Sequence, residues 1–446
     1  MGTCHSGIER QRSLKNIDKS KIDLPSKQLS YRKQKSIEEV NFMKEDFVVE
    51  NTNQILKTYR IEAEPIGKGM HTEIRKAFHL KTGEPRAIKI IKTNYASAPT
   101  VEEILHEIEI IKSLDHPYII KIYEYFVSQS NFYIVMEYIN GKPLFEYMYE
   151  HSVVINEKFI GNVIFKTLSA LNHIHLKDFV HTSIQSKNIL FDGNGVTLID
   201  FSNAISLTNF LPVDLRKPSP SVWTAPEVLE GDITDKADIW ALGITFYILL
   251  TGSLPFEEKD VEIMIDQIKK CLFATDPRHL TDVSPAAIDL LCKMLEKDSK
   301  LRLSAAECLE HPFFLNSHQR VDPKAFDQVL ANIRHYTIKN KLHQAIYAYY
   351  LASVMNNHEQ QEIIEVFQEI DKNKDGLISK EELKQGLASA GRIYSDEEVD
   401  QIFSKIDVEK KGFITFREYF AAAIDKNMAL NEERIRKFFK VIDKVR

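Results

Sequence analysis

Cysteine is scarce in this chain of 446 residues: Cys4, Cys271, Cys292 and Cys308 lie far apart, with no C-x-x-C pair among them. That excludes a disulfide scaffold, argues against structural zinc and fits a reducing interior. A run of about 18 apolar residues, the length that crosses a membrane, is also missing. The most apolar stretch, Ile239 to Leu250, has the length of a buried core helix. No excess of charge exists either: Lys+Arg is 58 against 64 Asp+Glu, a net charge of -6, so no nucleic acid is expected as a partner. The polar, basic start gives no expectation of a secretory signal. What is present is 43% apolar and 27% charged. These are globular values, which exclude wholesale disorder and collagen-like repeats, and the length allows two or three domains.

Residues 1–55 read as a basic, disordered arm. Its first 35 residues hold nine Lys/Arg and three Asp/Glu, so they carry +6 and the rest of the chain -12. Such a segment has too little apolar surface to order itself. It opens Met1-Gly2-Thr3-Cys4-His5-Ser6, the M-G-x-x-x-[ST] pattern of N-myristoylation. One acyl chain binds a membrane marginally; a second chain or a polybasic patch makes the anchor stable. Cys4 as a palmitate acceptor and the basic arm offer both, so the expectation is a cytoplasmic protein at the inner face of a membrane, held through acylated Gly2 and Cys4. The alternative is a soluble tail.

From about Tyr59 to Phe126 the pattern is strand-like, with a helix around Val101 to Leu114. From about Leu144 to Phe314 it is mainly helical with short strands. In order along residues 59–314 stand Gly67-Lys68-Gly69, Ala87-Ile88-Lys89, Glu107, Met136-Glu137-Tyr138, His181 to Asn188, Asp200-Phe201-Ser202, Ala225-Pro226-Glu227, Asp238-Ile239-Trp240 and Arg302. A lone G-x-G says little, but the ordered set resembles the eukaryotic protein kinase domain. The resemblance implies a bilobal α+β fold, ATP and Mg2+ as cofactors and proteins as substrates. Phosphates need closely approaching backbone donors and a cation, hence Gly67, Gly69 and Lys89, the last held by Glu107. Magnesium needs hard oxygen ligands, which Asn188 and Asp200 match. By similarity Ile74, Ala87 and Leu190 sandwich adenine, with Met136 like the gatekeeper and Glu137 and Tyr138 in the hinge. Glu227 and Arg302 are expected to pair, Asp238 to anchor the catalytic loop, and Ile111, Ile122, His181 and Phe201 to form an apolar stack.

The catalytic loop departs from this resemblance. The family reads H-R-D-L-K-P-x-N; here the run is His181-Thr182-Ser183-Ile184-Gln185-Ser186-Lys187-Asn188. Ser183 stands where the family has the Asp that receives the acceptor proton, and Gln185 where a Lys would stabilise the transferring phosphoryl group. Asp178 and Asp192 are near in sequence but fall at no matching position. Ser202 replaces a glycine and is expected to stiffen the turn after Asp200; Thr72 replaces another and is expected to crowd the phosphates. Pro143 and Pro220 occupy places where related kinases carry a Glu and a Thr that read peptides.

The C-terminal stretch holds a repeat of 36 residues beginning at Asp371 and Asp407. Asp371 to Glu382 fits the twelve-residue EF-hand loop. Asp371, Asn373 and Asp375 offer side-chain oxygens, Leu377 its carbonyl, Ser379 a water, and Glu382 two oxygens; Gly376 makes the sharp turn. The second loop keeps Asp407, Gly412, Ile414 and Glu418, but Lys411 brings an ammonium where an oxygen belongs and Glu409 is long for its place. It is expected to pair with the first through Ile378 and Ile414 and to bind calcium weakly or not at all. Phe438 to Asp443 looks like the helix entering a third EF-hand, so either the sequence is truncated or a second calcium lobe is missing.

A kinase domain, a junction at 322–356 and EF-hands at 357–446 resemble the calcium-dependent protein kinases. The resemblance implies that residues about Ile333 to Val354, with Lys339, Lys341, Leu342, Ile346 and Tyr350, form an autoinhibitory-like helix; otherwise they are a surface linker. Two functions follow. One is a nucleotide- and calcium-binding homologue with weak or absent phosphotransfer, a pseudokinase-like scaffold for signalling partners. The other is an active calcium-dependent serine/threonine kinase.

Overall fold

A computed structural model describes residues 49–51, 54–95, 98–208, 220–256, 259–271, 283–316, 323–334, 336, 361–389, 394–407, 410–424, 432 and 435–436. Gly2 and Cys4, the junction beyond Tyr336, Glu409 and the segment from Phe438 to Asp443 lie outside them. Among the described residues no helix is long and apolar enough to cross a membrane.

The first lobe is a sheet of six strands: β1 (Val49–Glu50), β2 (Tyr59–Lys68), β3 (Thr72–His79), β4 (Pro85–Lys92), β5 (Ile122–Val127) and β6 (Asn131–Glu137), in the order β1-β5-β6-β4-β3-β2. Alternation along β4 decides what faces the cleft. Ile88 turns to the outer face, where it packs with Tyr59, Phe126, Val135 and Ile55. Lys89 turns inward towards α1 (Val101–Ser113). That helix starts at a capping box, the Thr100 hydroxyl accepting from the Glu103 N–H and the Glu103 carboxylate from the Thr100 N–H. The expected arm of 1–55 is corrected at its end: Val49–Glu50 runs parallel to β5, and the Asn51 N–H donates to the Tyr125 carbonyl at 2.8 Å. The open edge of β5 supplies the partners, and Glu124 is shared between the Asn51 amide (2.8 Å) and the Tyr59 hydroxyl (2.6 Å).

The second lobe follows with β7 (Lys142–Pro143), α2 (Leu144–Glu150), α3 (Glu157–His175), β8 (Phe179–Val180), β9 (Ile189–Phe191), β10 (Val196–Leu198), β11 (Ile205–Ser206), α4 (Lys236–Thr251), α5 (Val261–Lys270) and α6 (Pro285–Met294). α4 is buried on every side, with Ile239, Trp240, Leu242, Ile244 and Phe246 all fully enclosed. The length and apolarity of Ile239 to Leu250 led to this expectation. Arg302, 1% exposed, forks onto Glu227 at 2.5 and 2.9 Å and lies 5.0 Å above the Trp240 ring.

The calcium module is helical: α7 (Pro323–Arg334), α8 (Gln361–Ile370), α9 (Lys380–Ser389), α10 (Asp396–Ile406) and α11 (Phe416–Ala423), with two-residue strands β12 (Leu377–Ile378) and β13 (Ile414–Thr415) between helices. β12 and β13 pair antiparallel and set Ile378 opposite Ile414. α7 buries Phe326, Val329, Leu330 and Ile333, spaced as one helical face, and the Asn332 amide donates to the Ala423 carbonyl at 2.8 Å. These residues join Ile364, Phe367, Phe416 and Phe420 in a core continuous with that of the second lobe.

Glu227→Ala would strand the buried Arg302 guanidinium. Loss of one partner of a buried pair removes about 3–5 kcal/mol of stability. Urea unfolding should show it; a change below about 1 kcal/mol would mean that the pair does not hold the lobe.

Candidate active site and calcium loops

Three ionised groups meet at the inner end of the cleft. The Lys89 ammonium donates to both Glu107 oxygens at 2.7 and 3.0 Å and lies 3.4 Å from Asp200 Oδ1. Burial works against the charge of Lys89, but Glu107 and Asp200 outweigh it and hold its pKa above the ordinary lysine value. Burial likewise opposes ionisation of Asp200; Lys89 and a hydrogen bond from Ser202 overcome it and keep the carboxyl below its usual range. That bond, from the Ser202 hydroxyl to Asp200 Oδ1 at 2.7 Å, is one the sequence reading missed. The expected stiffening of this turn did not include a hydroxyl gripping the carboxylate.

The catalytic loop hangs from α4. Asp238 Oδ2 accepts from the His181 N–H (2.8 Å) and Asp238 Oδ1 from the Thr182 N–H (2.8 Å). Thr182 turns through a left-handed φ of 60° and presents Ser183 to the cavity. The Ser183 hydroxyl accepts from the Asn203 amide at 3.0 Å, and the Thr182 hydroxyl donates to the Asn203 carbonyl at 2.7 Å. Asn203 was not anticipated; no motif position marks it. Asn188 uses its amide nitrogen on the Ser183 carbonyl (2.8 Å), which leaves its oxygen for a cation beside Asp200. These two oxygen donors suit magnesium. The Phe201 and His181 rings meet at a tilt, 4.6 Å between centroids, buried like Ile111 and Ile122.

A cavity of about 670 Å³ takes in Lys89, Glu107, Ser183, Gln185, Asp200 and Ser202. Gly67, Gly69, Ile74, Ala87, Met136, Glu137, Tyr138 and Leu190 lie outside its lining. The register still groups several of them: Gly67 faces Ile74, Ala87 faces Met136, and Leu190 sits on β9 opposite Pro143. Gly69 closes the β2–β3 turn on the Thr72 carbonyl at 2.8 Å, and a Cβ there would lie 2.5 Å from the Thr72 hydroxyl. Glu137 is buried 3.9 Å from Lys121, and Tyr138 lies under the Lys76 ammonium at 4.4 Å. Asp192 caps its own turn at the Asn194 and Gly195 N–H groups, and neither it nor Asp178 reaches the cavity.

In the first calcium loop the acids converge on main-chain donors. Asp371 accepts from the Asp375 and Gly376 N–H groups, and Glu382 from those of Lys372, Asn373 and Ser379. Asp375 accepts from the Leu377 N–H and the Asn373 amide. Burial, with Asp375 and Glu382 nearby, pushes Asp371 up to about 7 in spite of Lys374 and the Gly376 N–H. Carboxyls so desolvated and so close favour a bound cation, and the oxygen set is one that suits calcium. No three His, Cys, Asp or Glu side chains among the described residues stand in a ready-made metal cluster. The EF-hand set relies instead on Asn373, Ser379 and the Leu377 carbonyl beside its acids.

The second loop repeats the backbone, with Lys410 and Gly412 left-handed as Lys374 and Gly376 are, and Asp407 accepting from the Lys411 and Gly412 N–H groups. It differs in charge: the Lys411 ammonium lies 3.3 Å from Glu418. The cation that the loop could bind is partly replaced by its own lysine.

Comparisons agree with this division of the chain. Residues 60–314 match the model of the protein kinase domain, and residues 360–424 that of an EF-hand domain pair. The chain is 28% identical over 366 residues to calcium-dependent protein kinase 3 of Plasmodium yoelii yoelii, covering 80% of this chain and 67% of that protein. It is 29% identical over 349 residues to calcium-dependent protein kinase 4 of Plasmodium falciparum, covering 75% and 65%. Against the SNF1-related protein kinase catalytic subunit alpha KIN12 of Arabidopsis thaliana it is 32% identical over 267 residues, covering 59% and 52%. The chain thus spans about two thirds of the length of the first two relatives and half of the third. Since the kinase match takes up more than half of its residues and the EF-hand pair follows, the chain belongs to the protein kinases and, among them, to the calcium-dependent protein kinase family.

Proposed function

We propose that this chain is a calcium-regulated serine/threonine kinase homologue that binds ATP, magnesium and calcium, transfers phosphate weakly or not at all, and serves as a signalling scaffold. The observation that carries this reading is Ser183. Its hydroxyl is tied to Asn203 where the resemblance puts an Asp, and among the described residues the acids sharing its cavity are Glu103, Glu107 and Asp200. Glu103 caps α1, Glu107 pairs with Lys89, and Asp200 is gripped by Ser202. None is free to receive a proton from an acceptor alcohol. A positioned base is worth about 10²–10⁴-fold in rate and one electrostatic contact about 10²–10³-fold. Without the Asp and with Gln185 for the Lys, turnover falls by orders of magnitude, although the two losses need not multiply. Magnesium, when bound, neutralises charge on the nucleotide phosphates. Lys89 would hold and orient those phosphates, and Asp200 and Asn188 would hold the ion.

The second reading, an active calcium-dependent kinase, is favoured by the closed contact of Lys89 with Glu107 and by the intact pair of Glu227 and Arg302. Transfer of labelled phosphate from ATP to a mixed peptide pool separates the two. Brisk, calcium-stimulated incorporation that Asp200→Ala abolishes would establish the enzyme.

Three outcomes are expected. Ser183→Asp combined with Gln185→Lys should raise turnover by about 10²-fold or more; if ATP still binds and nothing is gained, the lesion lies elsewhere. Glu382→Gln should erase the dominant calcium-binding event in titration calorimetry, and an unchanged isotherm would remove the first loop as the site. In cells, membrane association through acylated Gly2 and Cys4 at the inner face should be lost in Gly2→Ala; unaltered fractionation counts against the anchor.

A further inference from the structure

The first calcium loop is not free-standing. Its outer side rests on the last turns of α3, a helix of the kinase domain. The Asn172 amide donates to the Lys374 carbonyl at 2.7 Å, and His173 Nδ1 lies 3.1 Å from the Asp375 carbonyl. The Asp115 N–H donates to His173 Nε2 at 3.3 Å, so that nitrogen is the acceptor and Nδ1 carries the proton given to Asp375. His116 stacks on His173 at 5.3 Å and is itself fixed by the Tyr118 N–H and the Ser169 hydroxyl. Asn172, His173 and His116 are all at least nine-tenths buried. Gly376, with φ at +80°, approaches so closely that a Cβ would lie 2.6 Å from His173 Nδ1 and 3.2 Å from His116 Cδ2.

A trans peptide unit is planar, and its C=O and N–H point in opposite directions. The unit joining Lys374 to Asp375 gives its carbonyl to Asn172 on one side, and on the other shares its N–H between Asn373 Oδ1 at 2.9 Å and Asp371 Oδ1 at 3.2 Å. The next unit gives its carbonyl to His173 and its N–H to Asp371 Oδ2 at 3.0 Å. Each unit is therefore gripped from outside by the kinase helix and aimed inward at the acid in the first position of the loop. The second loop makes the equivalent inward bonds without such an outer grip: its Asp407 receives the corresponding N–H groups at 2.9 and 2.8 Å, nothing stands within 4 Å of where a Cβ on Gly412 would be, and its contact with the kinase domain comes further on, where the Arg417 N–H donates to Asp115 at 3.2 Å.

We propose that Asn172 and His173 are positioning residues for calcium: by holding the Lys374 and Asp375 carbonyls, they preset Asp371 and tighten the first loop for the ion. The calcium site of this chain then extends into the kinase helix, and by linkage calcium strengthens the docking by the same factor that docking strengthens calcium binding. The inference rests on the first loop being the calcium site.

The test is calcium titration calorimetry on the full chain. Asn172→Leu keeps the volume and removes the donor; His173→Phe keeps a ring on His116 and removes the Nδ1 proton together with the Nε2 acceptor of the Asp115 N–H. Each should weaken the first-loop Kd by about three- to tenfold, the worth of one hydrogen bond, with stoichiometry unchanged. The calcium-induced rise in Tm should shrink in both variants, over and above the fall in calcium-free Tm that the lost buried hydrogen bond causes, a pattern that lost packing alone does not give. A wild-type Kd, or a tighter one, in folded variants overturns the proposal while leaving the calcium site standing. Absence of binding in the unaltered chain removes both. Should neither variant fold, hydrogen exchange on the unaltered calcium-free chain decides: the Asp375 and Gly376 amides should exchange more slowly than those of Lys411 and Gly412, and equal rates would refute the clamp.

Discussion

One buried carboxylate ties the parts of this molecule together. Asp238, 1% exposed on a mostly apolar helix, receives the backbone N–H groups of His181 and Thr182 and His175 Nε2 at 2.9 Å. A buried acid is tolerated when its lone pairs are filled, and these three donors fill them. Two of them suspend the catalytic loop. The third fixes the end of α3, two residues beyond His173. The acceptor end of the cleft and the shelf beneath the first calcium loop are thus set by the same group, 57 residues from the first donor and 63 from the last.

Lysine balances acids in the cleft and in both loops. Lys89 balances Glu107 and Asp200 in the cleft, and Lys411 balances Glu418 in the second loop. Lys374 meets the first loop differently. Its ammonium turns away to the Gln368 carbonyl and lies 5.9 Å from the Phe165 ring of α3, while its influence on Asp371 stays attractive. In the second loop the lysine blocks the place of a cation; in the first it sits at the docking edge and leaves the carboxylates open to one. Two loops with the same backbone are separated by one position: Lys411 stands where the first loop has Asp375.

The sequence made the kinase-like and EF-hand folds readable because each rests on residue types at fixed order or spacing. Lys89 and Glu107 meet across 18 residues, Glu227 and Arg302 across 75, and Ile378 faces Ile414. What escaped has no period and no motif. Asn203 reaches Ser183 with a side chain that any polar loop residue could carry, and Ser202 grips Asp200 by a rotamer choice. The contacts of Asn172 and His173 with the first loop span 202 residues and engage main-chain carbonyls, so the identity of the loop residues carries no trace of them. The end of the arm was missed for a related reason: pairing Val49–Glu50 with β5 uses backbone groups that every residue has.

Electrostatics gives the departures in the catalytic loop a common logic. Relative to the family's H-R-D-L-K-P-x-N, Ser183 removes a negative charge while Thr182 and Gln185 each remove a positive one, and Lys187 lines the same cavity. Asp200 remains there, with Lys89 already shared with Glu107. An acid restored at 183 alone would face Asp200 with no added cation and would be drawn towards protonation, the state in which it accepts nothing. Neutral Ser183 instead finds a neutral donor in Asn203, and the pair satisfies itself without an ion. Ser183 is thus satisfied without an ion pair of its own, beside the charged group of Lys89, Glu107 and Asp200. Positions 183 and 185 act as one electrostatic unit, whose members cannot be judged singly.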